Sequence, residues 1–106
     1  MSDSFRRFEI LLPRRFNDGR AVPDDFIADT LIELRTQFGA ISSETQTIRG
    51  QWQQEDQLYL DELVRVFVDV PDTAENRQFF TDYKETLKTR FDQREIWITT
   101  YLVEVL

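Results

Sequence analysis

Five arginines, Arg6, Arg7, Arg14, Arg15 and Arg20, fall within the first 20 positions of this sequence. With Asp3, Glu9 and Asp18 subtracted, that stretch carries +2 and the rest of the chain −9. Arg14, Arg15 and Arg20 flank Asn17-Asp18-Gly19, a strong turn signal, just before a helix start. Guanidinium groups at a helix N-terminus suit an anion or a nucleic-acid phosphate. Asp24 and Asp25 occupy the same helix start and repel such a ligand. No glycine spacing of the phosphate-cradling kinds is present either. The competing reading is that these arginines pair with the acidic remainder of the chain, or across a dimer.

Carboxylates form the second candidate set. Glu44, Asp61, Glu62 and Glu104 all fall on strand-like segments. Convergent carboxylates do acid–base work or hold a hard cation. Glu62 interrupts an otherwise apolar strand face and is the candidate catalytic residue, although Arg49 or Arg65 can simply neutralise it. No calcium-loop spacing is present, and neither a metal nor a cofactor is expected.

Aromatic and aliphatic side chains form the third set. Tyr59, Leu63, Phe67, Trp97, Tyr101 and Val103 share the strand faces that two helices would leave open. Sheet aromatics stack bases in RNA-binding domains of this topology. Here the glycine-and-aromatic signature of those domains is missing, and Asp61 and Asp69 sit among the rings. The bland reading is an apolar interface, since so large a patch is unusual on a monomer.

Composition narrows the chemistry further. The 106 residues include no cysteine and no histidine. This removes disulfides, thiolate nucleophiles, Ser-His arrangements and most transition-metal sites. Net charge is −7, which does not favour nucleic acid or an anionic membrane. No run approaches the roughly 18 apolar residues of a membrane helix. The start of the chain lacks a signal-peptide core, so the cytoplasm is the expected location.

The elements that must position these residues follow from periodicity. Phe5 to Leu12 alternates as a strand and ends at Pro13. Pro23-Asp24-Asp25 opens a helix whose stripe is Ile27, Leu31, Leu34 and Phe38, closed by Gly39. Ala40 to Gln54 is polar and reads as an edge strand, bent at Gly50. A turn at Glu55-Asp56 joins it to the strongest strand of the chain, Leu58 to Val70. There Leu58, Leu60, Val64, Val66, Val68 and Val70 define one fully buried face, broken only by Glu62. A two-residue loop would pair Arg49 with Glu62. A three-residue loop would place Trp52, Ile48 and Val64 on one face, and is favoured for the apolar surface it buries. Pro71 ends the strand, and Asp72-Thr73-Ala74-Glu75 reads as a capping box with Asp72 as the cap. The second helix then runs from Thr73 to about Phe91 on a stripe of Phe80, Tyr83, Leu87 and Phe91. Glu95 to Leu106 is a last strand, apolar on both faces.

The order β-α-β-β-α-β predicts one α+β domain over residues 1–106. Its expected form is a ferredoxin-like plait, a four-stranded antiparallel sheet of order 4-1-3-2 with both helices on one face. The run VDVPDTAENRQFFTDYKETLKTRFDQREIWITTYLVEVL resembles an uncharacterised group of short bacterial proteins with this pattern. That resemblance implies a bacterial source and carries no activity or site residue. The leading functional expectation is a homodimeric binding or protein-interaction module joined through the open sheet face. One alternative is an enzyme or small-ligand-binding protein with a pocket at that dimer sheet interface. Another is anion or nucleic-acid binding through the Arg14/Arg15/Arg20 loop.

Overall fold

A computed structural model describes residues 4–44 and 46–106. The elements are β1 (Phe5–Pro13), α1 (Asp24–Phe38), β2 (Ser42–Ser43), β3 (Ile48–Gln54), β4 (Gln57–Pro71), α2 (Ala74–Arg90) and β5 (Trp97–Val103). All pairings are antiparallel, in the order β2-β4-β1-β5, with β3 also on β4. The fold is therefore α+β with two helices and a five-stranded sheet, rather than four strands in the order 4-1-3-2. The single edge strand expected over Ala40–Gln54 is two short ones. Ser42 and Ser43 pair with Phe67 and Val66, and Ile48–Gln54 pairs with Gln57–Leu63. Between them Glu44 turns its carboxylate onto Arg65.

One face of the sheet is the core. Phe8, Ile10 and Leu12 of β1 and Val64, Val66, Val68 and Val70 of β4 are buried against Leu34 of α1 and Phe80, Tyr83 and Leu87 of α2. Both helices thus cover the same face. Phe80 lies flat on Phe8 with centroids 4.1 Å apart and is parallel to Phe38 at 5.4 Å. Gly39 ends α1 at φ 83°, a left-handed conformation that a side chain would strain. A polar tie joins the two helices. Arg90 donates to Thr30 Oγ1 at 2.8 Å and to both oxygens of Glu33, while Tyr83 donates its hydroxyl to the same carboxylate. Arg90 and then Tyr83 hold Glu33 below the usual carboxylate range. Burial, with that carboxylate beside it, pushes the Tyr83 hydroxyl up to about 12.

Three local expectations change. The cap of α2 is Thr73, whose hydroxyl accepts from the Asn76 amide at 3.1 Å. Asp72 is diverted to Arg6, which donates to it at 2.8 Å. The β3–β4 loop has two residues, so Arg49 pairs with Glu62, not the register with more apolar burial. Glu55 takes the left-handed φ of 56° that this tight turn needs. Apolar burial does not set the register here because this hairpin overhangs the helix layer. Leu58 and Leu60, expected on the buried face, are 54% and 71% exposed. The molecule is correspondingly long, 52 × 29 × 25 Å, and we refer to the overhanging hairpin as the arm.

Candidate functional site at the open sheet face and arm

Strand alternation puts Arg7, Glu9, Leu63, Arg65, Phe67, Asp69, Trp97 and Tyr101 on the face away from the helices. Across its centre runs a continuous polar ladder. Arg7 grips Asp69 with two bonds, Nε to Oδ1 at 2.8 Å and Nη2 to Oδ2 at 3.0 Å. Arg65 donates to Glu9, and to Glu44 at 2.6 Å. Tyr101 donates its hydroxyl to Glu9 at 2.8 Å. The Phe67 ring lies between the two guanidiniums, with Arg7 Cζ 4.5 Å and Arg65 Cζ 4.4 Å from its centroid. These contacts set the electrostatics. Arg65, then Tyr101, holds Glu9 low, and Arg7 holds Asp69 low. Both arginines are correspondingly raised.

This arrangement splits the predicted interface set. Phe67 is sandwiched, and Leu63 and Val103 are half-buried. Trp97 and Tyr101 are 61% and 45% exposed, at the β5 side of the sheet. Tyr59 is on the arm, where Trp52 stacks on it at 4.0 Å and donates its indole N–H to Asp61 at 2.9 Å. The carboxylate set does not converge. Glu44 serves Arg65, Asp61 serves Trp52, Glu104 follows β5, and Glu62 lies 3.5 Å from Arg15. Among the described residues no three potential metal ligands come together. In the arginine loop, Arg15 donates to the Gly19 carbonyl and Arg20 pairs with Asp18 at 2.6 Å, while the Arg14 side chain points outward. Two of the three guanidiniums thus close their own turn.

A further concavity lies where the arm tip nears the turn between α2 and β5. It is a solvent-open depression of about 410 Å³, lined by Gln54, Glu55, Asp56, Gln57, Tyr59 and Arg94. That volume is within the usual range of ligand clefts, roughly 300–1,000 Å³. Its lining combines one arginine, two acidic residues and one tyrosine. Sequence reasoning missed it. Glu55-Asp56 next to Tyr59 was a visible signal, but nothing local marked Arg94 as its partner.

No family model matches this chain, and no curated protein matches its sequence. Among solved structures, the chain is similar in fold to phage SAM lyase. A phage SAM lyase in complex with S-methyl-5'-thioadenosine superposes with a TM-score of 0.69 at 13% identity, covering 99% of this chain and 92% of that one. The apo state of a phage SAM lyase gives 0.60 at 16% identity, with 99% and 93% covered. The likeness to SAM lyase thus includes the arm as well as the sheet and helices. No helix among the described residues is long and apolar enough to cross a membrane.

Proposed function

We propose that this protein is a small-ligand-binding enzyme acting on a sulfur-bearing adenine nucleoside of the S-adenosylmethionine class, with its site at the arm end of the open sheet face. The observation that carries the reading is the likeness, along 99% of the chain, to a lyase holding S-methyl-5'-thioadenosine. The residues in the concavity suit such a ligand. Tyr59, backed by Trp52, offers an aromatic face to a purine. Arg94 offers paired donors to a carboxylate, and Glu55 and Asp56 offer acceptors to an ammonium or sulfonium charge. The ladder from Asp69 to Tyr101 ties β4, β1 and β5 together on the adjoining sheet face. This reading replaces the interaction module as the leading one, because that module requires an apolar open face and the centre of this face is ion-paired.

Incubation with S-adenosylmethionine, followed by chromatography, tests it. Time-dependent appearance of S-methyl-5'-thioadenosine is expected, and Arg94→Ala should weaken substrate binding at least about tenfold, or 1.4 kcal/mol. Absence of both turnover and saturable substrate binding in the parent protein would overturn the reading.

A further inference from the structure

The helix layer carries an apolar groove on its outer surface, away from the sheet. It is open to solvent, has a volume of about 370 Å³ and runs between α1 and α2. Tyr83, buried, and Phe79, half-buried, line it from α2, with ring centroids 5.3 Å apart. Ile32 lines it from α1 and is 49% exposed. It falls on the opposite side of α1 from the buried Leu34, so the core does not account for an apolar residue there. Two stripes frame the groove. Asp25, Asp29, Ile32 and Thr36 recur at helical spacing along α1, and Glu75, Phe79, Asp82 and Thr86 do the same along α2. Asp25, Asp29, Glu75 and Asp82 enter no ion pair among the described residues, and Asp82 accepts a bond from the neutral Gln78 amide at 2.9 Å. The cations of the layer stand elsewhere. Arg77, Lys84 and Lys88 share the flank of α2 away from α1, with Lys84 on Glu95 at 2.8 Å and Lys88 on Glu85 at 3.3 Å. Arg35 is on the flank of α1 opposite Glu33, and Arg90 is taken by Thr30 and Glu33.

We propose that this groove docks a cationic amphipathic helix of a partner protein. The apolar residues of that helix rest on Ile32, Phe79 and Tyr83, and its lysines or arginines face the two acidic stripes. A helix is the form that fits. The backbone groups of α1 and α2 bond internally, so the walls offer nothing to an added strand. Their side-chain ridges receive another helix at an axial distance of about 8–10 Å. α1 has 15 residues, and at 1.5 Å per residue it runs about 22 Å, room for about four turns of a partner.

Charge selects among occupants. The unpaired carboxylates repel nucleic acid and anionic membranes and attract a basic partner. The cationic stripe of a second copy of this chain, Arg77, Lys84 and Lys88, has no apolar residue among its members to enter the groove. The groove lies on the helix side of the sheet, and the nucleoside site under Proposed function lies on the open side, so the two readings stand or fall separately.

Two labelled synthetic peptides of about 18 residues, long enough to be helical, test it. Both carry leucine at i, i+3, i+4 and i+7; one has lysine on its remaining face, the other glutamate. Fluorescence anisotropy with the full chain should show saturable binding of the lysine peptide and none of the glutamate peptide. Ile32→Asp should weaken the lysine peptide at least about tenfold. That change removes the apolar contact while adding a charge that attracts lysine, so mere attraction to an acidic protein would move the affinity the other way. Asp29→Lys should also weaken it about tenfold, whereas Glu104→Lys, the same charge change beyond β5, should stay within about twofold. Leu60→Asp, on the exposed arm, should leave the affinity unchanged. No saturable binding of the lysine peptide, equal binding of both peptides, or binding indifferent to Ile32→Asp overturns the proposal. So does loss of binding on Leu60→Asp, which would put the peptide on the arm. A fall in the sedimenting mass of the protein on Ile32→Asp overturns it as well, since a second copy would then be the occupant.

Discussion

Phe80→Ala should destabilise the protein by about 3–5 kcal/mol, the range for removing a large aromatic from a close-packed core. Phe80 is 2% exposed and is where the two layers meet. It lies flat on Phe8 of β1, parallel to Phe38 at the end of α1, and against the edge of Phe79. Truncation therefore takes a ring contact from each of Phe8, Phe38 and Phe79, and the sheet and helices cannot collapse into the space without moving α2. Against a typical total of about 5–15 kcal/mol, such a loss is a large fraction of the whole. At about 4–8 °C per kcal/mol, it lowers the melting midpoint well beyond experimental error. Urea denaturation checks it. A loss below about 1 kcal/mol would mean that α2 does not pack on β1 as described.

The open-face ladder should give the protein an acid-sensitive stability that Arg65→Gln reduces. Arg65 and Glu9 side chains are only 21% and 18% exposed, so this pair is less screened than a surface bridge. Glu9 titrates below its ordinary value in the fold, chiefly through Arg65. A carboxylate whose folded pKa is lowered contributes stability above its unfolded pKa, about 4.3, and loses it as pH falls through the folded value. Asp69 and Glu33 act with the same sign. The midpoint should hold level above about pH 5 and fall below about pH 4. Arg65→Gln should cost about 1–3 kcal/mol at pH 7, as for hydrogen bonds to a charged group. The difference from the parent should shrink at pH 2, where Glu9 is protonated in both. A difference constant from pH 7 to pH 2 would show that Arg65 acts through packing on Phe67 rather than through Glu9.

Much of the architecture was legible because it depends on local periodicity. The Leu34–Phe38 stripe, the Gly39 terminator, the Phe80–Leu87 stripe and the alternation of β1 and β4 all fold as their spacing requires. What failed depended on competition between neighbours or on distance. Asp72 and Thr73 are both good caps, and the choice is made by Arg6, far away in sequence, which takes Asp72. The hairpin register turns on the conformation of Glu55 and on the arm having no helix beneath it. Leu58 and Leu60 show that alternation reports a face, not what covers it.

The candidate site was less legible. An apolar face was inferred from Leu63, Phe67, Trp97 and Tyr101, but cross-strand neighbours decide how such residues are used. Arg7 and Arg65 reach Phe67 only because β1 and β4 bring them beside it in register. Arg7, counted with the N-terminal cluster, is committed to Asp69, and Arg20 to Asp18, so the excess positive charge of that segment does not gather at one place. Arg94 gains a role only once the arm tip is carried next to it, which no spacing rule anticipates.

Calorimetric titration of the parent protein with S-methyl-5'-thioadenosine shows whether the arm end of the sheet holds a nucleoside. It reads binding without requiring turnover, and the heat is assigned by repeating the titration with Arg94→Ala and Tyr59→Ala. Saturable binding is expected, weakened at least tenfold by both substitutions, while the melting midpoint of the unliganded protein stays within a few degrees of the parent. A flat titration with the folded parent at millimolar nucleoside, or binding indifferent to both substitutions, would contradict it.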